Sequence, residues 1–323
     1  MRIRESIHRH LHYTGWYIRL ILWLKNIKLR NGDVSLHRTL IIFIDKVGDN
    51  QLIDRAYGVA FNFTLALFPS LIFFFALIPF LHSYIPFISS GEILAFLGSF
   101  MPPDLYAAFD DTIHDTVGVR RDGLISFGVL FALFLATNGV NSLMQSFNMS
   151  YKTVDNRSYL KARFIALFLT LILAFALIIS FVFILAGQLV LDWVWQHGYL
   201  TESFTYYLIL FLRYLVIFVA FYVAIASIYY FGPAIHDKWR FFSYGSIIAT
   251  LLCIAVSFGF SFYVTNFGTY NKLYGSIGTL IALMIWQWFM SNILLLGFEF
   301  NASIDRAANK EIYYINEGDE TGI

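Results

Sequence analysis

The sequence predicts an all-α integral membrane protein: a six-transmembrane-helix bundle with amphipathic N-terminal interfacial helices and a small helical extracytoplasmic loop. Three observations carry that prediction. Charged residues make up 13% of the 323, about half the usual soluble share, while AVILMFWYC reach 59%. Six segments are long and apolar enough to cross hydrocarbon, where a helix is the one open structure that satisfies its own backbone. Lys and Arg are concentrated in alternate loops, which sets an orientation.

The spans are expected at residues 56–81, 124–147, 164–191, 205–231, 244–267 and 274–300. They form a transmembrane domain over 56–304, between a basic N-terminal segment at 1–55 and a tail at 305–323. The first span carries Pro69 and Pro79, each lacking a backbone donor, so a kink is expected near Pro69. Ten Lys and Arg precede it. Lys152, Arg157, Lys161 and Arg163 follow the second span, Lys238 and Arg240 the fourth, and Arg306 and Lys310 the sixth. The alternate loops hold Arg120, Arg121 and Lys272. Both termini are therefore expected in the cytoplasm. No cleavable signal peptide is expected, because Gly15–Leu24 is broken by Arg19 and lacks a small-residue cleavage site.

Outside the bilayer, Leu36, Leu40, Phe43, Ile44 and Val47 recur at helical spacing. That pattern suits an amphipathic helix, either on the cytoplasmic leaflet or packed on the bundle. Trp16, Tyr17 and Trp23 among basic residues suggest a second surface-lying segment within 1–31. In the loop at 82–123, Leu105, Phe109 and Ile113 follow Pro102-Pro103, with Asp104 as a cap. The nearby Asp110, Asp111, His114 and Asp115 read as a wet helix face rather than a metal site.

Polar residues in hydrocarbon are the functional candidates, because leaving them unpaired is costly. Arg213 sits about 12 Å into its span from Thr205, by the helical rise. Asp192, helped by Gln188, is its expected partner. Glu299 lies too far away, near the cytoplasmic end of the sixth span. Asn138, Asn141 and Gln145 share one face of the second span at i, i+3, i+7 spacing. Asn62 and Thr64 reach a similar depth, and Gln287 and Asn292 join from the sixth span. The competing role for each is glue between helices. Tyr-Gly-Ser-Ile occurs at 244–247 and again at 274–277, each time opening a span.

The chain lacks G-x-x-x-x-G-K-[ST], G-x-G-x-x-G and H-E-x-x-H, and Cys253 is its single cysteine. No nucleotide, metal or other cofactor is expected. No catalytic residues are assigned, and a nucleic-acid partner is excluded.

From residue 41 to 307 the chain resembles the YihY/BrkB family of bacterial inner-membrane proteins. Tyr270-Asn271, Tyr274-Gly275-Ser276 and the run Leu296-Gly297-Phe298-Glu299-Phe300-Asn301 carry the most specific part of the likeness. Ala56-Tyr57 through Leu67-Phe68-Pro69, and the stretch 138–151, add to it. The resemblance implies six spans with both ends cytoplasmic, in the inner membrane. It also implies that Asn62 and Asn138, where family members carry small residues, are particular to this lineage. An old ribonuclease label attached to the family finds no metal-hydrolase cluster here, and the likeness suggests a role in envelope lipid transport.

The expectation is a nucleotide-independent transporter of lipids or amphiphiles, with an anionic phospholipid or lipid-linked amphiphile as partner. Its path would use Arg213, Asn62, Asn138, Asn141, Gln145, Gln188, Gln287 and Glu299, with Tyr270 and Asn271 at the outer mouth. The alternative is a non-transporting scaffold that recruits envelope-assembly proteins.

Overall fold

A computed structural model of the chain describes residues 15–29, 34–48, 51–84, 124–151, 155–196, 203–235, 240–266 and 276–308. Most of the expected cap at 82–123 and of the tail, together with Tyr270 and Asn271, lies outside them.

The N-terminal part begins with α1 (Gly15–Asn26), followed by two short antiparallel strands, β1 (Lys28–Leu29) and β2 (Val34–Ser35). This two-residue ladder departs from the all-α expectation. Helix α2 (Leu36–Val47) starts at Ser35, whose Oγ accepts from the Arg38 backbone N–H at 3.4 Å. Of the two roles expected for this helix, its Leu36, Leu40 and Phe43 face takes the packed one, against Phe300 and Ile304 of the last helix. The Phe43 and Phe300 rings meet edge to face at 5.6 Å. Ile44, on another side of α2, stays exposed.

Six long helices follow: α3 (Gln51–Tyr84), α4 (Leu124–Ser150), α5 (Tyr159–Gln196), α6 (Ser203–Phe231), α7 (Tyr244–Asn266) and α8 (Ser276–Ala308). Each packs on the next, α8 closes back on α3, and α8 also touches α4 across the ring. Four stretches among the described residues are long and apolar enough to cross a membrane: Tyr159–Ser180, Tyr207–Phe231, Tyr244–Tyr263 and Ile281–Ala308. In their most apolar windows only 11% to 28% of residues are buried within the protein. Phe164, Phe175, Phe211, Phe258 and Phe262 point outward, the reverse of a soluble helix and the arrangement that acyl chains favour.

The helices outrun the expected spans because hydropathy ends where charge begins, whereas backbone hydrogen bonding continues through it. Arg55, Arg163 and Arg306, read from sequence as flanking residues, all lie on helices. Helix α3 runs unbroken through Pro69 and Pro79.

The core lies at the end of the bundle where α4, α6 and α8 finish. Phe147 stacks on Phe298 with centroids 4.0 Å apart, and Tyr229 meets both rings edge-on. Here α7 and α8 touch through backbone. A Cβ on Gly245 would lie 2.1 Å from the Gly297 carbonyl oxygen, and one on Gly297 would lie 2.7 Å from the Ala249 Cβ. The Gly245 N–H donates to Asn301 Oδ1 at 2.8 Å, and Asn301 Nδ2 donates to Ser243 Oγ at 2.8 Å. The first Tyr-Gly-Ser-Ile copy and the run at 296–301 are thus packing motifs: the glycines let two backbones meet, and the asparagine fills the polar vacancy that results.

Candidate functional site

Four arginines gather at this same end, hereafter the basic end, and three of them hold helix termini. Arg55 on α3 donates to Ser150 Oγ at 2.8 Å and to the Ser146 carbonyl at 3.3 Å. Arg306 pairs with Glu299 and donates to the Ser150 carbonyl at 2.7 Å. Both cations meet the C-terminus of α4, where the helix dipole favours positive charge. Arg157 donates to the Gly232 carbonyl just past α6 at 3.0 Å, and to both oxygens of Asp155 at 2.8 and 2.7 Å. Asn148 completes this latch: its Nδ2 donates to Asp155 at 3.0 Å and its Oδ1 accepts from the Ala234 N–H at 2.8 Å. The Arg157 bonds hold the Asp155 carboxyl below its ordinary range, although partial burial acts the other way.

Arg163 is different. It lies one turn inside α5 and crosses to the middle of α4, where Nη2 donates to Asn138 Oδ1 at 2.7 Å and to the Phe134 carbonyl at 3.0 Å. Its guanidinium rests 4.1 Å from the Phe134 ring centroid. Its Nε is buried without a hydrogen-bond partner. Among the described residues no carboxylate pairs with it, so its charge meets only neutral dipoles.

Arg163 borders a cleft of about 500 Å³ between α4 and α5, which Asn141, Gln145, Asn148, Asp155, Arg157 and Tyr159 help to line. Met144, Met149 and Ala162 supply apolar wall. With Arg157 neutralised by Asp155, the cleft keeps the charge of Arg163 and carries amides able to donate to an anion. Beside it, Tyr159, Leu160 and Phe164 are strongly exposed on the outer face of α5. A polar cleft therefore adjoins an apolar flank.

The residues expected from sequence divide into three groups. Asn141 and Gln145 border the cleft, and Asn138 reaches it through Arg163. Others are spent on packing. Asn62 donates to its own helix at Gly58 (2.8 Å) and to Ser142 Oγ (3.2 Å). Thr64 and Asn292 bond carbonyls one turn back. Gln287 is buried in α8, and Glu299, 2% exposed, is held by Arg306. Arg213 is half-buried on α6, its Nε without a partner, away from the cleft. The side chains of Gln188 and Asp192, and all of Tyr270 and Asn271, lie outside the described residues. Arg163 is not legible as a site residue in the sequence, where it stands among the loop charges after the second span. Spacing alone does not find it, because Arg163 lies one turn into α5 and reaches Asn138, about three turns back from the end of α4, through the length of its side chain.

Among the described residues no group of three His, Cys, Asp or Glu could hold a metal ion.

Residues 43–317 match the family described as Virulence factor BrkB. The ribonuclease-like protein YfkH of Bacillus subtilis is 32% identical over 259 residues, which is 78% of this chain and 90% of that protein. A UPF0761 membrane protein of Tolumonas auensis is 26% identical over 290 residues, covering 88% and 92%. Another from Alteromonas mediterranea is 26% identical over 270 residues, covering 82% and 87%. No solved structure matches the chain. Apolar helices facing outward, packing motifs that coincide with the resemblance, and a match over most of the length agree: the chain is a membrane protein of the BrkB family.

Proposed function

We propose that this protein carries anionic lipids or lipid-linked amphiphiles between the leaflets of the bacterial inner membrane, without nucleotide or cofactor and without covalent chemistry. In this reading α3 to α8 are six spans, both termini are cytoplasmic, and α1 and α2 lie at the cytoplasmic interface. The alternation of Lys and Arg supports that orientation.

One observation carries the proposal: among the described residues Arg163 meets neutral acceptors and no carboxylate, on the wall of a cleft that adjoins an exposed apolar side of α5. A cation in that setting favours an anionic group, and the adjacent apolar flank suits acyl chains that stay in the bilayer. The test is reconstitution in sealed vesicles with a headgroup-labelled phosphatidylglycerol, following its movement between leaflets. Wild-type protein accelerates exchange over empty vesicles, and Arg163→Gln lowers the rate by about tenfold, the loss of one charge-assisted bond. No acceleration by folded wild-type protein would reject the proposal.

A second reading has its own support. Asn62, Asn292, Asn301 and Glu299 are all engaged within or between helices, as in a rigid scaffold for envelope-assembly proteins. It predicts that Arg163→Gln leaves cellular function intact while deletion of the loop at 85–123 abolishes it.

A further inference from the structure

Arg213 has no part in the cleft, yet it shares the feature that marks Arg163. Its Nε is buried without a hydrogen-bond partner, and among the described residues no carboxylate pairs with it. Its guanidinium lies 5.9 Å from the Tyr214 ring centroid, a weak contact. On either side Leu212 and Tyr214 are exposed, as is Phe211.

The two arginines occupy neighbouring helices, and their depths can be compared. Phe168 of α5 and Phe231 of α6 meet edge to face at 5.9 Å, which fixes a common level for these packed helices. The short connection between them, from Gln196 to Ser203, makes them antiparallel. Arg163 precedes Phe168 by five residues and Arg213 precedes Phe231 by eighteen, so they lie on opposite sides of that level. At 1.5 Å per residue the separation is roughly 34 Å along the helices, close to the ~30 Å thickness of the hydrocarbon core. The same count brings the α5 backbone near Gln188 to the depth of Arg213.

We infer that Arg163 and Arg213 are paired stations for one anionic lipid headgroup, Arg163 in the α4–α5 cleft at the inner leaflet and Arg213 on α6 at the outer. The inference rests on the transport reading and adds to it where a lipid is taken up and where it is released. Each station couples a cation that no carboxylate pairs among the described residues to exposed apolar side chains: Tyr159, Leu160 and Phe164 within one turn of Arg163, and Leu212 and Tyr214 flanking Arg213. That combination selects a phosphate with acyl chains over free phosphate.

Full-length protein in nanodiscs, titrated with phosphatidylglycerol against a phosphatidylcholine background, counts the stations by native mass spectrometry. Wild-type protein retains two phosphatidylglycerol molecules. Arg163→Gln and Arg213→Gln each retain one, with anionic preference at the altered station down on the order of tenfold, and the double variant retains none. Arg163→Lys and Arg213→Lys keep the charge and both molecules, which separates loss of a station from misfolding. One retained molecule that is insensitive to Arg213→Gln would overturn the inference, as would displacement of either molecule by millimolar inorganic phosphate. Two retained molecules without transport between leaflets would reject the transport reading alone. Transport with a single Arg213-insensitive molecule would reject the two-station inference alone.

Discussion

A single methyl group on Gly245 tests whether the α7–α8 seam is held at backbone contact. The added Cβ would lie 2.1 Å from the Gly297 carbonyl oxygen and 2.7 Å from the Asn301 amide. Both obstacles are fixed, one by helix α8 and the other by its two hydrogen bonds to residues 243 and 245. The helices must therefore part by roughly 1 Å to reach a normal contact distance. Overpacking of that kind costs about 1–3 kcal/mol. Weakening the buried bond from the Gly245 N–H to Asn301 costs about 1–3 kcal/mol more. The gain in helix propensity from Gly to Ala, about 1 kcal/mol, does not offset the total. Gly245→Ala should therefore lower the thermal midpoint by about 10 °C, measured in detergent at a fixed scan rate against wild type. Gly58→Ala and Gly259→Ala are matched controls, because a Cβ at either position meets nothing within 4 Å. A Gly245→Ala midpoint equal to those of the controls would refute the reasoning.

Three further outcomes follow from the basic end. Glu299→Ala leaves Arg306 without its counter-charge in a buried setting and should destabilise by about 3–5 kcal/mol, whereas a Glu299→Met, Arg306→Met double variant recovers much of that loss. Thermal midpoints of the three proteins decide it, and a double variant no better than the single would show that the pair acts through something other than charge. The Asp155 carboxyl is held low by Arg157, so the stabilisation of the latch is complete above the ordinary carboxylate value of 3.8 and is lost as pH falls through the lowered one. Asp155→Asn should thus differ from wild type at pH 6 and converge with it in strong acid, and a gap that persists in acid would contradict this. Phe43→Ala removes a ring packed edge-on against Phe300 and should increase proteolysis within residues 15–48 while sparing the α3–α8 bundle. Equal cleavage of wild type and variant would count against the docking of α2 on α8.

Much of the bundle could be read from the chain because bilayer thickness imposes a length that hydropathy detects directly. The ends of the helices could not, since residues 51–55, 159–163 and 301–308 are as helical as their apolar neighbours but look like loops to an apolarity scan. This had a functional consequence. Arg163 reads from sequence as an orienting loop charge, whereas Asn141 and Gln145, which helical spacing places on one face, border the cleft. For the other polar residues spacing gives a face but no partner. It cannot tell Asn62, which bonds Ser142, from Asn141, which lines open space, because the difference lies in which helix stands opposite. The pairing of Glu299 with Arg306 at i+7 is hidden for the same reason, since apolarity ends the sixth span before Arg306 while α8 continues through it.

The most direct measurement is an electron cryomicroscopy map of the protein in nanodiscs rich in phosphatidylglycerol. The account predicts phosphate density within hydrogen-bonding distance of the Arg163 guanidinium, between Asn141 and Gln145, with acyl density running along Phe164. A cleft that holds only water, or that closes onto Arg163 as neighbouring side chains pack into it, would contradict it.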